Sequence, residues 1–143
     1  MEGYIPSKEE FSNVMDARFT PEVYERLKAG RVGIAGLGGL GSHVAVMLAR
    51  SGVEHLHLVD FDKVDLSNLN RQEYRIGHLG RYKTEALREQ LLEINPYLDI
   101  TLDCQLVTED NAAELFKDDD IICEAFDKAE NKAMLAEALL SGW

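Results

Sequence analysis

At 143 residues the chain has the length of about one domain, and its 45% hydrophobic and 29% charged residues are ordinary for a globular protein. The formal net charge of -11 argues against a nucleic-acid or anionic-membrane partner, because such binding requires a surface rich in lysine and arginine. The sequence begins without a signal-peptide pattern and contains no apolar run long enough to cross a bilayer, so we expect a cytoplasmic protein. Cys104 and Cys123 lack the spacing of metal ligands and are predicted to be inert core thiols.

The first 30 residues predict a short helical arm outside the main sheet. Thr20 and Pro21 form a helix start, with a capping hydroxyl followed by a proline at the first helical position, and Gly30 ends the helix. Arg18 lies just before this helix. It is either a solvated arginine or a cation that reaches outward to a ligand.

The next segment predicts a strand, a glycine turn and a helix. Residues 32–35 form a short apolar strand, and a G-x-G-x-x-G turn opens the helix that follows. The glycines of this motif are Gly36, Gly38 and Gly41. Such a turn lets the backbone approach a phosphate, and the helix N-terminus favours an anion. A second strand, His55–Val59, ends on Asp60, the position at which a carboxylate meets a ribose hydroxyl.

From Phe61 to Gly80 the chain is polar and much longer than a connection needs to be, which is typical of a functional loop. Its candidate side chains are Asp62, Asp65, Asn68, Asn70, Arg71 and Gln72. The next helix begins at Lys83 and stops at Asn95 and Pro96. Arg71 and Lys83 are either solvated charges or cations that hold phosphate above the glycine turn, and their position favours the second interpretation.

The rest of the chain predicts two further strands and two helices. They are a strand over Asp99–Asp103, a short helix capped by Thr108, a buried strand from Ile121 to Ala125, and a helix over Lys128–Leu140. Asp127 follows the last strand, where it can bind a ligand, cap the next helix, or do both. The acidic run Asp118–Asp120 is expected to be a solvated approach to that strand.

The alternation of strands and helices predicts one α/β domain over residues 1–143, with an arm at 1–30 and a Rossmann-like core at 31–143. We expect a doubly wound, mainly parallel sheet with helices on both faces. NAD would contact the glycines and Asp60, but it would give Arg71 and Lys83 no group to bind. MgATP would use all of them, because Arg71 and Lys83 can neutralise a triphosphate and Asp127 can hold a hard metal ion.

These residues resemble the ThiF/MoeB/HesA family of adenylating enzymes, which is related to the ubiquitin-activating enzymes. The matching strings are GLGGLGS at 36–42, DFD at 60–62 and DLSNLNRQ at 65–72, with Lys83 and Asp127 beyond them. Two further stretches, EVYERLKAGRVGIAGLGGLGS and EAFDKAENKAML, look most similar to the short ThiF-like proteins of thiamine biosynthesis.

The resemblance implies adenylation of the C-terminal glycine carboxylate of a ubiquitin-like sulfur carrier (ThiS-like), with ATP and Mg²⁺, by a cytoplasmic homodimer. The implied nucleotide-binding residues are Gly36, Gly38, Gly39, Gly41, Asp60, Asp62, Asn68, Arg71, Gln72 and Lys83. Catalytic roles fall to Arg71, Lys83 and Asp127, the last of which serves Mg²⁺. The family's N-terminal arginine, supplied by the neighbouring subunit, corresponds to Arg18 or else Arg31.

Two other functions stay open at this point. We expect the chain to lack the family's C-terminal part, including its paired zinc-binding cysteines, and this favours a nucleotide-binding module or truncated product without adenylation activity. The generic glycine fingerprint alone is also compatible with an NAD-dependent oxidoreductase.

Overall fold

The structure, a computed structural model, describes residues 3–142 and confirms the α/β fold. The strands are β1 Arg31–Ala35, β2 His55–Val59, β3 Asp99–Asp103 and β4 Ile121–Glu124. The helices are α1 Lys8–Asp16, α2 Pro21–Ala29, α3 Gly39–Arg50, α4 Lys83–Ile94, α5 Ala112–Leu115 and α6 Ala129–Gly142. Two short 3₁₀ helices, Leu66–Asn68 and Ile76–His78, lie in the long loop.

All four strands are parallel and follow the order β3-β2-β1-β4. The chain therefore moves outward from β1 through β2 to β3 and then returns to the other side of β1. Ile34 of β1 pairs with Leu58 on one side and Cys123 on the other. In open α/β sheets, ligands bind beyond the carboxyl ends of the strands at such a reversal point.

Helices cover both faces of the sheet, as predicted. On one face, Ile34 and Leu58 pack in a cluster with α3 and α4 side chains such as Leu87, and all three are fully buried. On the other face, Phe116 and Leu135 pack against residues of β1 and β2. Each fully buried aliphatic or aromatic side chain of this kind contributes about 1.5–3 kcal/mol. None of the described helices, the longest of which has 14 residues, is long and apolar enough for a bilayer crossing.

The N-terminal arm contains one helix more than the sequence analysis predicts. Helix α2 begins as expected, since Thr20 accepts a hydrogen bond from the Val23 N–H. Helix α1 begins with a reciprocal pair: the Ser7 hydroxyl accepts from the Glu10 N–H at 3.1 Å, and the Glu10 carboxylate accepts from the Ser7 N–H at 3.1 Å. This S-x-x-E pattern is a capping box, a signal that is readable in the sequence.

Two predictions about the second half of the chain are wrong in detail, those for Thr108 and for Cys104. Thr108 and Asn111 bond each other one turn before α5, which begins only at Ala112, so Thr108 does not cap that helix directly. Cys104 is exposed and not a core thiol. Cys123 is half-buried, and its burial raises the pKa of the thiol.

The acidic run before β4 is not simply solvated, because Asp119 is buried. Its carboxylate contacts Arg31 Nε at 2.6 Å and His57 Nδ1 at 2.7 Å, and His57 Nε2 lies 2.5 Å from Asp103. Gly33 makes room for this group, since a Cβ there would lie 2.2 Å from the Asp119 carboxylate. Burial acts to lower the pKa of His57, but the hydrogen bonds to both carboxylates outweigh it and raise the pKa.

Candidate functional site

A cavity of about 380 Å³ lies at the carboxyl edge of the sheet. Its lining comes from the loops that follow all four strands and from the start of α4. The contributing groups are Gly36 and Gly38 after β1, residues 59–62 at the end of β2, residues 105–107 after β3, residues 125–128 after β4, Lys83, and Asn131 of α6. The predicted ribose, metal and phosphate residues Asp60, Asp127 and Lys83 therefore share one cavity.

The glycine turn is built so closely that two of its positions accept only glycine. Gly36 has φ +96°, and a Cβ there would lie 2.9 Å from the Ala125 carbonyl oxygen. A Cβ on Gly41 would lie 1.8 Å from the Gly36 oxygen. These contacts bring the start of α3 against the end of β4 and leave the helix N-terminus beside the cavity.

The other two glycines lie next to predicted ligand residues. A Cβ built on Gly38 would be 3.5 Å from Gln72 Nε2 and 3.9 Å from Asp127 Oδ2. Gly39 faces Arg71, whose carbonyl oxygen and Cγ would lie 3.8 and 4.0 Å from a Cβ there. The turn, Gln72, Asp127 and the stem of Arg71 are thus close neighbours.

Asp60 ties the glycine turn to the loop after β2. Its Oδ2 accepts from the Leu37 N–H at 2.8 Å, and its Oδ1 accepts from the Asp62 N–H at 2.9 Å. Each carboxylate oxygen keeps a further lone pair, so the predicted ribose contact is compatible with both bonds. The sequence analysis missed this second task of Asp60, which is to orient the turn.

Lys83 is the buried cation of the site. It is 6% exposed and is the first residue of α4, where its N–H donates to the Asp62 carbonyl at 2.9 Å. In the described part of the chain, no carboxylate lies within ion-pair distance of its ammonium group. Hydrogen bonds from Ser67 and, more weakly, the charge of Lys83 lower the pKa of Asp65. A buried cation with no carboxylate in ion-pair contact among the described residues favours an anionic ligand.

The loop residues divide into structural and available groups. Asn68 uses its carboxamide oxygen to accept from the Asp65 N–H at 2.8 Å, which closes the first 3₁₀ helix. Arg71 is exposed beside Gly39, outside the cavity lining, and donates to the Ser67 carbonyl at 2.9 Å. Gln72 is buried, and its Oε1 has no hydrogen-bond partner among the described residues. Gln72 is therefore a buried side chain whose Nε2 is the atom nearest Gly38 and whose oxygen is unsatisfied among the described residues.

Two residues that the sequence analysis missed hold the loop against the turn. His43 of α3 contacts Glu73 at 2.6 Å through Nδ1 and the Arg71 carbonyl at 2.9 Å through Nε2. Tyr74 is buried, and its hydroxyl donates to the Leu37 carbonyl at 2.6 Å. The only sequence signal for Tyr74 is an aromatic residue within a polar loop.

Neither N-terminal arginine reaches the cavity of its own chain. Phe11 of α1 packs on Tyr97, which precedes β3, so the arm lies at the amino edge of the sheet. Arg18, between α1 and α2, is exposed there. Arg31 is engaged with Asp119 at the same edge. Arg18 remains a prediction for contact with a neighbouring subunit, whereas Arg31 already has a structural partner.

The site fits a magnesium ion that arrives with a nucleotide. Among the described residues, no group of three or more His, Cys, Asp or Glu side chains forms a cage for a metal ion. Mg²⁺ does not require one, because it commonly uses one or two carboxylates together with water and phosphate oxygens. Asp127, exposed at the cavity and near Gly38, is the residue that would supply such a hard oxygen ligand.

The chain is similar to known proteins in sequence and in fold. The ThiF family matches residues 11–141. The probable adenylyltransferase/sulfurtransferase MoeZ of Mycobacterium tuberculosis is 36% identical over 115 residues, which are 80% of this chain and 29% of MoeZ. The tRNA threonylcarbamoyladenosine dehydratase of Haemophilus influenzae is 34% identical over 119 residues, which are 82% of this chain and 46% of that protein.

A solved structure gives the same picture at the level of the fold. The E. coli tRNA N6-threonylcarbamoyladenosine dehydratase in complex with ATP matches with a TM-score of 0.83 and 27% identity, over 92% of this chain and 56% of that one. The chain thus spans between about a quarter and a little over half of the length of these three proteins.

Proposed function

The chain belongs to the ThiF family, and we propose that it uses ATP to adenylate the C-terminal glycine carboxylate of a ubiquitin-like sulfur carrier. The observation that carries this proposal is the buried, unpaired Lys83 in a cavity shared with the glycine turn, Asp60 and Asp127. A cation, a helix N-terminus and a carboxylate that share one cavity match a nucleotide's phosphates and ribose.

The proposed roles follow from the positions of the groups. The triphosphate lies over the glycine turn, where Lys83 neutralises one side and Arg71 approaches from the loop beside Gly39. Asp60 accepts from the ribose, and Gln72 lies beside the turn, with Nε2 as its atom nearest Gly38. Asp127 would hold Mg²⁺, which, when bound, shields the charge of the leaving pyrophosphate.

The chemistry needs positioning and charge neutralisation rather than a protein nucleophile. A carboxylate oxygen of the carrier attacks the α-phosphorus of ATP, the bond from that phosphorus to the β-bridging oxygen breaks, and pyrophosphate leaves with the electron pair. The products are a carrier acyl-adenylate and pyrophosphate. Because the attack brings negative charges together, fixed cations such as Lys83 lower its barrier.

Assignment to a ThiS-like carrier of thiamine biosynthesis is the finest level of the proposal. It is supported by the resemblance of residues 22–42 and 124–135 to short ThiF-like proteins. A nucleotide-binding module without adenylation activity is the alternative within the same family. The family match gives no support to the NAD-dependent oxidoreductase.

ATP–pyrophosphate exchange tests the proposal. The protein is incubated with MgATP, labelled pyrophosphate and a carrier that ends in glycine, and the control is the same carrier with its C-terminal carboxylate converted to an amide. We expect exchange with the free carboxylate and background with the amide. Background exchange with both, in a protein that binds MgATP, would indicate the binding module instead.

A second candidate substrate is a modified adenosine in tRNA. It is favoured by the likeness to the E. coli and H. influenzae dehydratases, the former over 92% of this chain. The net charge of -11 opposes it, since tRNA binding depends on phosphate neutralisation. ATP consumption stimulated by threonylcarbamoyl-modified tRNA, and not by the carrier, would select this candidate.

A further inference from the structure

We infer that Tyr74 is a positioning residue that fixes the Leu37–Gly38 peptide group, so that the Gly38 N–H faces the phosphates of the nucleotide. The inference rests on the proposed nucleotide site and deepens it, because it names the group that sets the direction of one phosphate-binding amide. Tyr74 does not line the cavity and would act only through the backbone of the turn.

The peptide groups around Leu37 are held at three points. The Gly36 N–H donates to the Val59 carbonyl at 2.9 Å, and the Leu37 N–H donates to Asp60 Oδ2 at 2.8 Å. The Leu37 carbonyl accepts from the Tyr74 hydroxyl at 2.6 Å. The side chain of Leu37 is fully buried, so the residue itself is anchored.

The Tyr74 bond determines where the next N–H points. In a planar trans peptide the carbonyl of one residue and the N–H of the next point in opposite directions, and no cis peptide occurs within residues 3–142. Tyr74 belongs to the buried cluster under α3 and α4, so the Leu37 carbonyl is directed into that core. The Gly38 N–H is therefore directed away from Tyr74, and Gly38 lines the cavity. No acceptor for this N–H is found within residues 3–142.

Tyr74 is suited to be a permanent donor. Burial, and then the nearby charge of Asp60, raise the pKa of Tyr74 well above its usual range, so its hydroxyl stays protonated. Its ring also packs edge-on against the His78 ring, with the two ring centroids 6.5 Å apart, so the ring keeps its packing when only the hydroxyl is removed.

Without the hydroxyl, the buried Leu37 carbonyl has no partner, which favours rotation of the peptide group. Gly38 can follow such a rotation because it has no Cβ. The apparent dissociation constant for ATP then rises in proportion to the fraction of molecules whose Gly38 N–H is turned away.

The experiment compares Tyr74→Phe with a matched control, Tyr97→Phe. Tyr97 also donates its hydroxyl to a backbone carbonyl, that of Pro6 at 2.8 Å, but at the amino edge of the sheet. Calorimetric titration measures the binding of MgATP and of adenosine, which lacks phosphate, to the parent and both variants. Thermal unfolding of each protein is recorded in parallel.

We expect Tyr74→Phe to weaken MgATP binding by about 3- to 10-fold, with adenosine binding unchanged. Tyr97→Phe should change neither. Equal loss of MgATP and adenosine binding, or no loss of either, would overturn the role of Tyr74 and leave the nucleotide site intact. A parent protein that does not bind MgATP would overturn the proposed function itself. If Tyr74→Phe unfolds early, the ¹⁵N shift of the Gly38 amide at low temperature decides, because an unchanged shift refutes the inference.

Discussion

Replacement of Lys83 by methionine should move stability and nucleotide affinity in different directions. Lys83 is 6% exposed and, within the described residues, has no carboxylate within ion-pair distance. Burial of a lysine side chain whose ammonium group faces the cavity, with no carboxylate in ion-pair contact, costs free energy of folding. Methionine keeps most of the length of the side chain and removes the charge. We therefore expect the nucleotide-free variant to be at least as stable as the parent.

The same change should weaken MgATP binding severely. A hydrogen bond that involves a charged group contributes about 1.5–3 kcal/mol, which corresponds to a 10- to 150-fold increase in the dissociation constant of MgATP. At a ligand concentration 100 times the parent's dissociation constant, binding stabilises the parent by about 2.7 kcal/mol. A variant with 100-fold weaker binding would gain only about 0.4 kcal/mol under the same conditions.

Thermal unfolding with and without MgATP measures both effects at once. For a domain of this size, about 1 kcal/mol moves the melting temperature by roughly 2–4 °C. The nucleotide should therefore raise the melting temperature of the parent by about 5–10 °C and that of Lys83→Met by about 1–2 °C. Lys117→Met is the control, because Lys117 is exposed and paired with Glu114. An MgATP shift in Lys83→Met equal to that of the parent would refute the assignment of Lys83 to phosphate.

Three other predictions concern the metal ion, the subunit interface and pH. Asp127→Asn should require several-fold more Mg²⁺ for half-maximal pyrophosphate exchange, because a neutral amide is a weaker ligand for Mg²⁺; an unchanged Mg²⁺ titration contradicts this. If Arg18 completes a neighbouring subunit's site, mixing the Arg18→Ala and Lys83→Met proteins gives mixed dimers in which one site has both residues. Such a mixture should regain part of the pyrophosphate exchange that each variant has lost, whereas no recovery contradicts the shared site. The pKa of His57 is raised in the folded state, so protonated His57 stabilises the fold. This contribution to the free energy of unfolding is complete below the unfolded pKa of about 6.5 and is lost as pH rises through the folded pKa. Urea unfolding at increasing pH should show the decline, and a free energy of unfolding that does not change with pH would contradict it.

The sequence predicts the sheet and the rim of the site because both depend on local patterns. Short stretches with alternating or continuous apolar residues give β2 and β3 with the predicted bounds, and β1 and β4 within one residue. The fixed position of polar residues after parallel strands brings Asp60 and Asp127 to one edge. By contrast, the burial of Asp119 depends on His57, which is 62 positions away, and on the space left by Gly33. No local pattern reports such a contact.

The interior of the long loop was unpredictable for the same reason. The role of Tyr74 depends on its bond to Leu37, which is 37 positions away in the sequence. The role of Asn68 depends on its place in a 3₁₀ turn, and apolar periodicity does not reveal such turns. Arg71 is a partial case. The sequence predicts its proximity to the glycine turn, but its bond to the Ser67 carbonyl and its position outside the cavity lining follow from the fold of the loop.

The pairing of the cations explains how an acidic protein can hold a triphosphate. Arg31, Arg81 and Lys132 each lie within 3.0 Å of a carboxylate, from Asp119, Glu89 and Glu124 respectively. Lys83 is more buried than any of these, yet it has no such partner among the residues that the structure describes. If a carboxylate were paired with Lys83, ATP could bind only after displacing it, and the displaced carboxylate would remain poorly solvated beside the phosphates. The fold instead bears the cost of an unpaired ammonium group in the free protein, and the ligand supplies the missing anion. Stability is thus given up at a position where the charge of the ligand restores it, which is why affinity and free-state stability should respond oppositely to loss of this lysine.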